Sequence, residues 1–169
     1  MFEFFNSSLG IKLSTEQVSR EIVNFMKGDP QREYKVTIGT DSQKDADNTA
    51  DFVTAIVVHR VGNGGRYFWR RIEGPGKFHT LRDRMTHEVI MSLEIAKDFL
   101  QLLQKCSDEF SAQGGPALSW DFEIHVDIGE NGATKVMIQE LVGMIRANNF
   151  EVKTKPDSYA ASKVADRHV

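Results

Sequence analysis

Apolar residues at Val18, Ile22, Val23, Phe25 and Met26 recur at near-helical spacing and stop at Gly28-Asp29-Pro30. In front of them Ser14-Thr15-Glu16-Gln17 has the form of a capping box, which predicts an N-terminal helix ahead of the first strand. The period then shortens. Tyr34-Lys-Val-Thr-Ile38 is a β-branched run, and two apolar-aromatic runs, Phe52–Val58 and Arg66–Ile72, flank the turn Gly62-Asn63-Gly64-Gly65. These predict a hairpin within a meander of three antiparallel strands. Gly74-Pro75-Gly76 breaks the chain, Thr80 can cap, and Leu81, Met85, Val89, Leu93, Ala96, Leu100 and Leu103 trace one long helix to the region of Lys105.

Asp108 to Ser119, with Gly114-Gly115-Pro116, reads as a loop. A fourth strand follows at Phe122–Ile128, a helix opens at Asn131-Gly132 and runs to Asn148-Asn149, and Glu151–Lys155 forms a short fifth strand. Pro156-Asp157-Ser158 then begins an alanine-rich final helix. The predicted fold class is α/β: a mixed five-stranded sheet in the order βββαβαβα, flanked by helices, with residues 1–30 as an N-terminal helical extension. A length of 169 residues suits one domain over 1–169.

Composition narrows the partners. A net charge of −3 argues against coating nucleic acid by bulk charge, so such a partner would need a local basic patch. The lone Cys106 excludes an internal disulfide framework and, in a helical pattern, reads as a small apolar residue. No window reaches the apolar length of a membrane span, and Met1-Phe-Glu-Phe-Phe-Asn lacks the build of a leader; the expected location is cytoplasmic, with no membrane partner.

The candidate chemistry is carboxylate chemistry. Ile38-Gly39-Thr40-Asp41-Ser42 places an acid at the end of the first strand, and Asp127 stands at the end of the fourth, on the face opposite Phe122, Ile124, Val126 and Ile128. At about 100° per residue, Glu88 falls near the edge of the long helix's apolar arc while Glu94 lies opposite its centre, so Glu88 can look toward the strand ends. In the last helix the same wheel puts Asp157 on the packed side with Ala160, Ala161, Val164 and Ala165, and Asp166 on the far side as the lower-ranked ligand. Each acid also has a plain structural role open to it: a turn former at Asp41 and Asp127, an N-cap at Asp157. Acids from separate elements that converge make a divalent-metal site.

Ile38-Gly-Thr-Asp-Ser-Gln43, Phe52–Gly62, Glu123-Ile-His-Val-Asp-Ile-Gly129 and Lys155-Pro-Asp-Ser-Tyr-Ala-Ala-Ser162 followed by Val164-Ala-Asp166 resemble the YkuK-like ribonuclease H-like family, over nearly the whole chain. The resemblance implies a fold shared with ribonuclease H and integrase-type nucleases. In that superfamily four acids hold two Mg²⁺ or Mn²⁺ ions, and by resemblance those roles fall on Asp41, Glu88, Asp127 and Asp157. It implies a metal-dependent nuclease that hydrolyses phosphodiester bonds of nucleic acid; the alternative is an inactive nucleic-acid- or protein-binding module on the same fold. No His lies between Phe150 and Asp157 and no long basic insertion is present, two departures that point away from RNA–DNA hybrid cleavage in particular.

For substrate grip the sequence offers Arg66, Arg70 and Arg71 around Tyr67 and Trp69, then Lys77, His79, Arg82 and Arg84 leading into the long helix. Ser42 and Gln43 follow Asp41, and His125 shares the face of Asp127. The competing reading of the arginine-rich strand is an edge blunted by charge. A nucleotide-dependent phosphotransferase of the actin-like class would need two such domains, and the chain also lacks the Gly-rich lysine loop of the other large NTPase class.

Overall fold

The computed structural model describes residues 4–169. Two short strands, β1 (Phe4–Ser7) and β2 (Lys12–Ser14), lead into helix α1 (Thr15–Lys27), so the N-terminal extension contains a hairpin as well as the expected helix. Ser14 caps α1 in a complete capping box with Gln17. Strands β3 (Glu33–Lys44), β4 (Ala50–Arg60) and β5 (Gly65–Ile72) follow, then α2 (Leu81–Ala112), β6 (Ser119–His125), α3 (Ile138–Ala147) and β7 (Glu151–Lys153).

Among the described residues one mixed sheet runs in the order β2-β1-β5-β4-β3-β6-β7, seven strands instead of the expected five. The added pair arises because β1 lies along β5, setting Asn6 opposite Trp69 and Ser7 opposite Phe68. β3 to β5 form the antiparallel meander, and β6 and β7 join β3 in parallel. The apolar run of β4 does not alternate because the sheet is covered on both faces. Val36, Ile38, Ile56 and Val58 pack under α1, α2 and α3 with Ile22, Val89, Phe99, Leu103 and Leu141; Val53, Ala55 and Val57 pack on the other face with Ala160 and Ala165 of the C-terminal segment.

Several element boundaries depart from the sequence expectation: β6 begins at Ser119 and ends at His125, short of the expected Ile128, and α3 begins at Ile138, after a 3₁₀ turn at Lys135–Met137, instead of at Asn131-Gly132. α2 runs on to Ala112, because Ser107 is buried and Phe110 packs against the core, and the chain stops only at Gly114-Gly115. The final helix is not a regular α-helix: Ala160–Val164 is a wide π-helical turn and Ala165–His168 a tight 3₁₀ turn. This segment lies directly on β3. A Cβ on Gly39 would stand 2.4 Å from the backbone nitrogen of Ala161, so only glycine admits the approach.

Candidate functional site

β3 outruns its parallel neighbour. The last β3–β6 pair is Gly39 with His125, whereas β3 continues beside β4 as far as Lys44 opposite Ala50. A notch therefore opens beside Asp41, and side chains from both faces of the sheet can reach it. Asp127 enters from the β6 side: Ile128 donates its N–H to the carbonyl of Val126 at 2.9 Å, making Asp127 the middle of a γ-turn just after the strand leaves the ladder.

Glu88 enters from α2 and is 1% exposed. The Ser42 hydroxyl donates to its Oε1. Arg84, one turn earlier on α2, donates from Nη1 to the Ser42 carbonyl at 2.6 Å and to the Ser42 hydroxyl oxygen at 2.9 Å. One oxygen of Glu88 is thus held by a chain of donors. The other, Oε2, is buried and accepts no hydrogen bond. Burial raises the Glu88 carboxyl well above the ordinary carboxylate range, the Ser42 hydroxyl opposes that rise, and the charges of Asp41 and Asp127 add to it.

Asp41 is pushed up to about 7, first by burial and further by the neighbouring charges of Asp127 and Asp166; the N–H of Ser42 works the other way. The Asp166 carboxyl lies within hydrogen-bond reach of that of Asp41. Asp41 thus feels the acids of the turn after β6 and of the C-terminal segment, and Glu88 feels Asp41 and Asp127. Asp127 Oδ1 also accepts no hydrogen bond, although Lys155 Nζ stands 3.3 Å away as an ion-pair partner without hydrogen-bond geometry.

The two C-terminal candidate acids are placed differently. Asp157 sits in an exposed turn, donating its backbone N–H to Thr154 O at 2.8 Å, and it is Asp166 that reaches Asp41. The wheel built at 100° per residue fails here because a π turn advances each residue by less than an α-helix does and a 3₁₀ turn by more. Glu94 is exposed, as its position on the wheel requires.

The substrate-grip residues are more scattered than their sequence grouping suggests. Arg66 lies five positions back along β5 from Arg71, the residue level with Asp41, and so roughly 17 Å from the notch. Its guanidinium covers the Phe25 ring at 4.9 Å, and that of Arg70 lies 5.4 Å from the Phe5 ring. Arg71 pairs with Asp51 at 2.5 Å. The indole of Trp69 is stacked by His168 at 4.2 Å and is not an open platform for a base. Lys77 bridges Thr49 beside Asp47, and Arg82 pairs with Glu140, tying α2 to α3. Ser42 serves Glu88, and His125 is 1% exposed with both ring nitrogens engaged, so neither is placed to touch substrate. Gln43 is exposed two residues beyond Asp41, on the same strand face, and keeps a place at the mouth.

A family model described as ribonuclease H-like matches residues 17–169. The chain belongs to the ribonuclease H-like family. Within it, this ribonuclease H-like chain is similar to a protein of Bacillus subtilis (strain 168) described as uncharacterized protein YkuK, 35% identical over 167 residues, which span 98% of this chain and 96% of that one. No solved structure matches the chain significantly. No helix of the described residues is long and apolar enough to cross a membrane.

Divalent metals are common on this fold, and the donor chemistry here suits them. All the acids are oxygen donors, as hard cations prefer, and Glu88 Oε2 and Asp127 Oδ1 have capacity that no protein hydrogen bond uses. Among the described residues no three His, Cys, Asp or Glu side chains stand in a finished metal-binding arrangement.

Proposed function

We propose that the chain is a divalent-metal-dependent nuclease that hydrolyses phosphodiester bonds of nucleic acid, with Asp41, Glu88, Asp127 and Asp166 as the carboxylates that hold Mg²⁺ or Mn²⁺, two ions being the expectation. The observation that carries this reading is the crowding of these four acids, remote in sequence, around the open edge of β3, with one buried oxygen of Glu88 left without a donor. A bound cation there would neutralise charge on a phosphodiester and activate water, which is what hydrolysis of so unreactive a bond requires.

The residues divide the work. Ser42, itself held by Arg84, fixes one oxygen of Glu88 and leaves the other without a donor. Asp41, its carboxyl raised to about 7, must release its proton before it can serve as a ligand. Lys155 holds Asp127 from the solvent side. Gln43, exposed two residues beyond Asp41, is the side chain offered for contact with phosphate oxygens.

Titrating Mn²⁺ and Mg²⁺ into the wild type and Asp41→Asn, and assaying both on single-stranded, duplex and hybrid oligonucleotides, tests the proposal. Metal-dependent cleavage by the wild type that disappears in Asp41→Asn is expected. Oligonucleotide binding that needs no metal, with no cleavage of any substrate, would replace the nuclease by a binding module.

A further inference from the structure

β6 carries a second polar group that the acid site does not use. His125 is 1% exposed and Glu123 is 7% exposed, on the sheet face covered by the C-terminal segment. The N–H of Ala160 donates to His125 Nδ1 at 3.1 Å. The proton on the ring must therefore sit on Nε2, which stands 2.8 Å from Glu123 Oε1 and donates to it. The Tyr159 ring closes over the imidazole edge-on, with centroids 4.5 Å apart. Every polar atom of the imidazole is committed, and the ring joins the strand that delivers Asp127 to the turn that delivers Asp166.

Ala160 is the first residue of the π turn, where backbone N–H groups lack partners within the segment. A π turn followed by a 3₁₀ turn is not a self-stable helix, so its position depends on what holds its start. Gly39 fixes how closely the segment approaches β3, and the His125 contact fixes it against β6.

We infer that His125, oriented by Glu123, is a positioning residue that clamps the start of the C-terminal segment and thereby places Asp166 against Asp41. It touches neither substrate nor cation. The inference rests on the acid site proposed above, but its first readout is independent of that site. Asn can put its side-chain oxygen where Nδ1 stands and keep the bond from Ala160; Gln reaches instead toward the Nε2 position and Glu123. The pair His125→Asn and His125→Gln thus separates the two halves of the clamp.

Amide hydrogen exchange over residues 160–168 should accelerate about tenfold in His125→Gln relative to the wild type and stay near wild type in His125→Asn, with exchange in β3 and β4 unchanged in both. Mn²⁺ affinity should follow the same order, falling about tenfold in His125→Gln, the lower end of what loss of a supporting contact costs a metal site. Equal protection of 160–168 in both variants, or acceleration spread evenly over the sheet, would overturn the clamp and leave His125 as ordinary core. If the wild type bound no Mn²⁺ while the exchange pattern held, the clamp would stand and the metal reading would fall.

Discussion

Asp41 is a carboxyl whose ionisation in the folded chain costs stability. Below its ordinary value of 3.8 the group is protonated in both the folded and unfolded chain and contributes nothing to the difference. As pH rises the unfolded chain releases the proton first, while the folded chain, with its carboxyl raised to about 7, holds it. The ion-free protein should therefore lose stability between about pH 4 and 7, and the penalty is complete above that range. After discounting for solvent screening, the contribution is roughly 1–2 kcal/mol. Asp41→Asn removes the charge, so its thermal midpoint at pH 8 should exceed that of the ion-free wild type, with the gap closing at pH 5. Mn²⁺ should raise the wild-type midpoint and leave that of Asp41→Asn nearly unchanged. A wild type that gains stability from pH 5 to pH 8 without added ions would contradict the crowding of acids at this position. Asp41 was visible in the sequence as an acid ending a β-branched strand; its raised proton affinity was not, since that depends first on its burial and then on Asp127 and Asp166, distant in the chain and placed by the fold.

At the scale of elements, the contact between β3 and the C-terminal segment is backbone against backbone at Gly39. Gly39→Ala would put a methyl group 2.4 Å from the Ala161 nitrogen and 2.8 Å from the Ala160 carbonyl carbon, backbone atoms that cannot rotate away. The substitution should cost about 2–3 kcal/mol. It should also push the segment off β3, so Mn²⁺ affinity should fall with stability. Calorimetric titration of Gly39→Ala with Mn²⁺ checks the second effect; unchanged affinity would mean that the segment does not set the position of Asp166. The glycine was legible as part of the Ile38-Gly-Thr-Asp pattern, but a glycine before an acid reads first as a turn residue. Its actual role, close approach of one backbone to another, belongs to the tertiary fold. The same holds for Arg84, which helical spacing sets one turn ahead of Glu88: grouped with the basic residues of the helix start, it works instead through Ser42.

For the whole molecule, the N-terminal hairpin closes an edge that would otherwise be open. Phe5 is fully buried and joins the core of Ile22, Met26 and Phe68, while β1 lies on β5 and shields its free edge. Phe5→Ala should cost about 3–5 kcal/mol, or roughly 10 °C in thermal midpoint. Three strand spacings, about 14 Å, separate β1 from β3, so Mn²⁺ affinity should be retained. Loss of affinity at equal folded fraction would show the two ends of the sheet to be coupled. The sequence by itself determined the meander, the long helix and the parallel return of the sheet, and it singled out Asp41, Glu88 and Asp127 as candidates, because each is written in a local period or at the end of a strand. Only the tertiary structure decided that β3 outruns β6 and opens the notch, that the last segment winds as π and 3₁₀ turns, and that Asp166 instead of Asp157 meets Asp41. Register and helix pitch arise from packing between elements, and a wheel drawn at one fixed pitch holds no information about either.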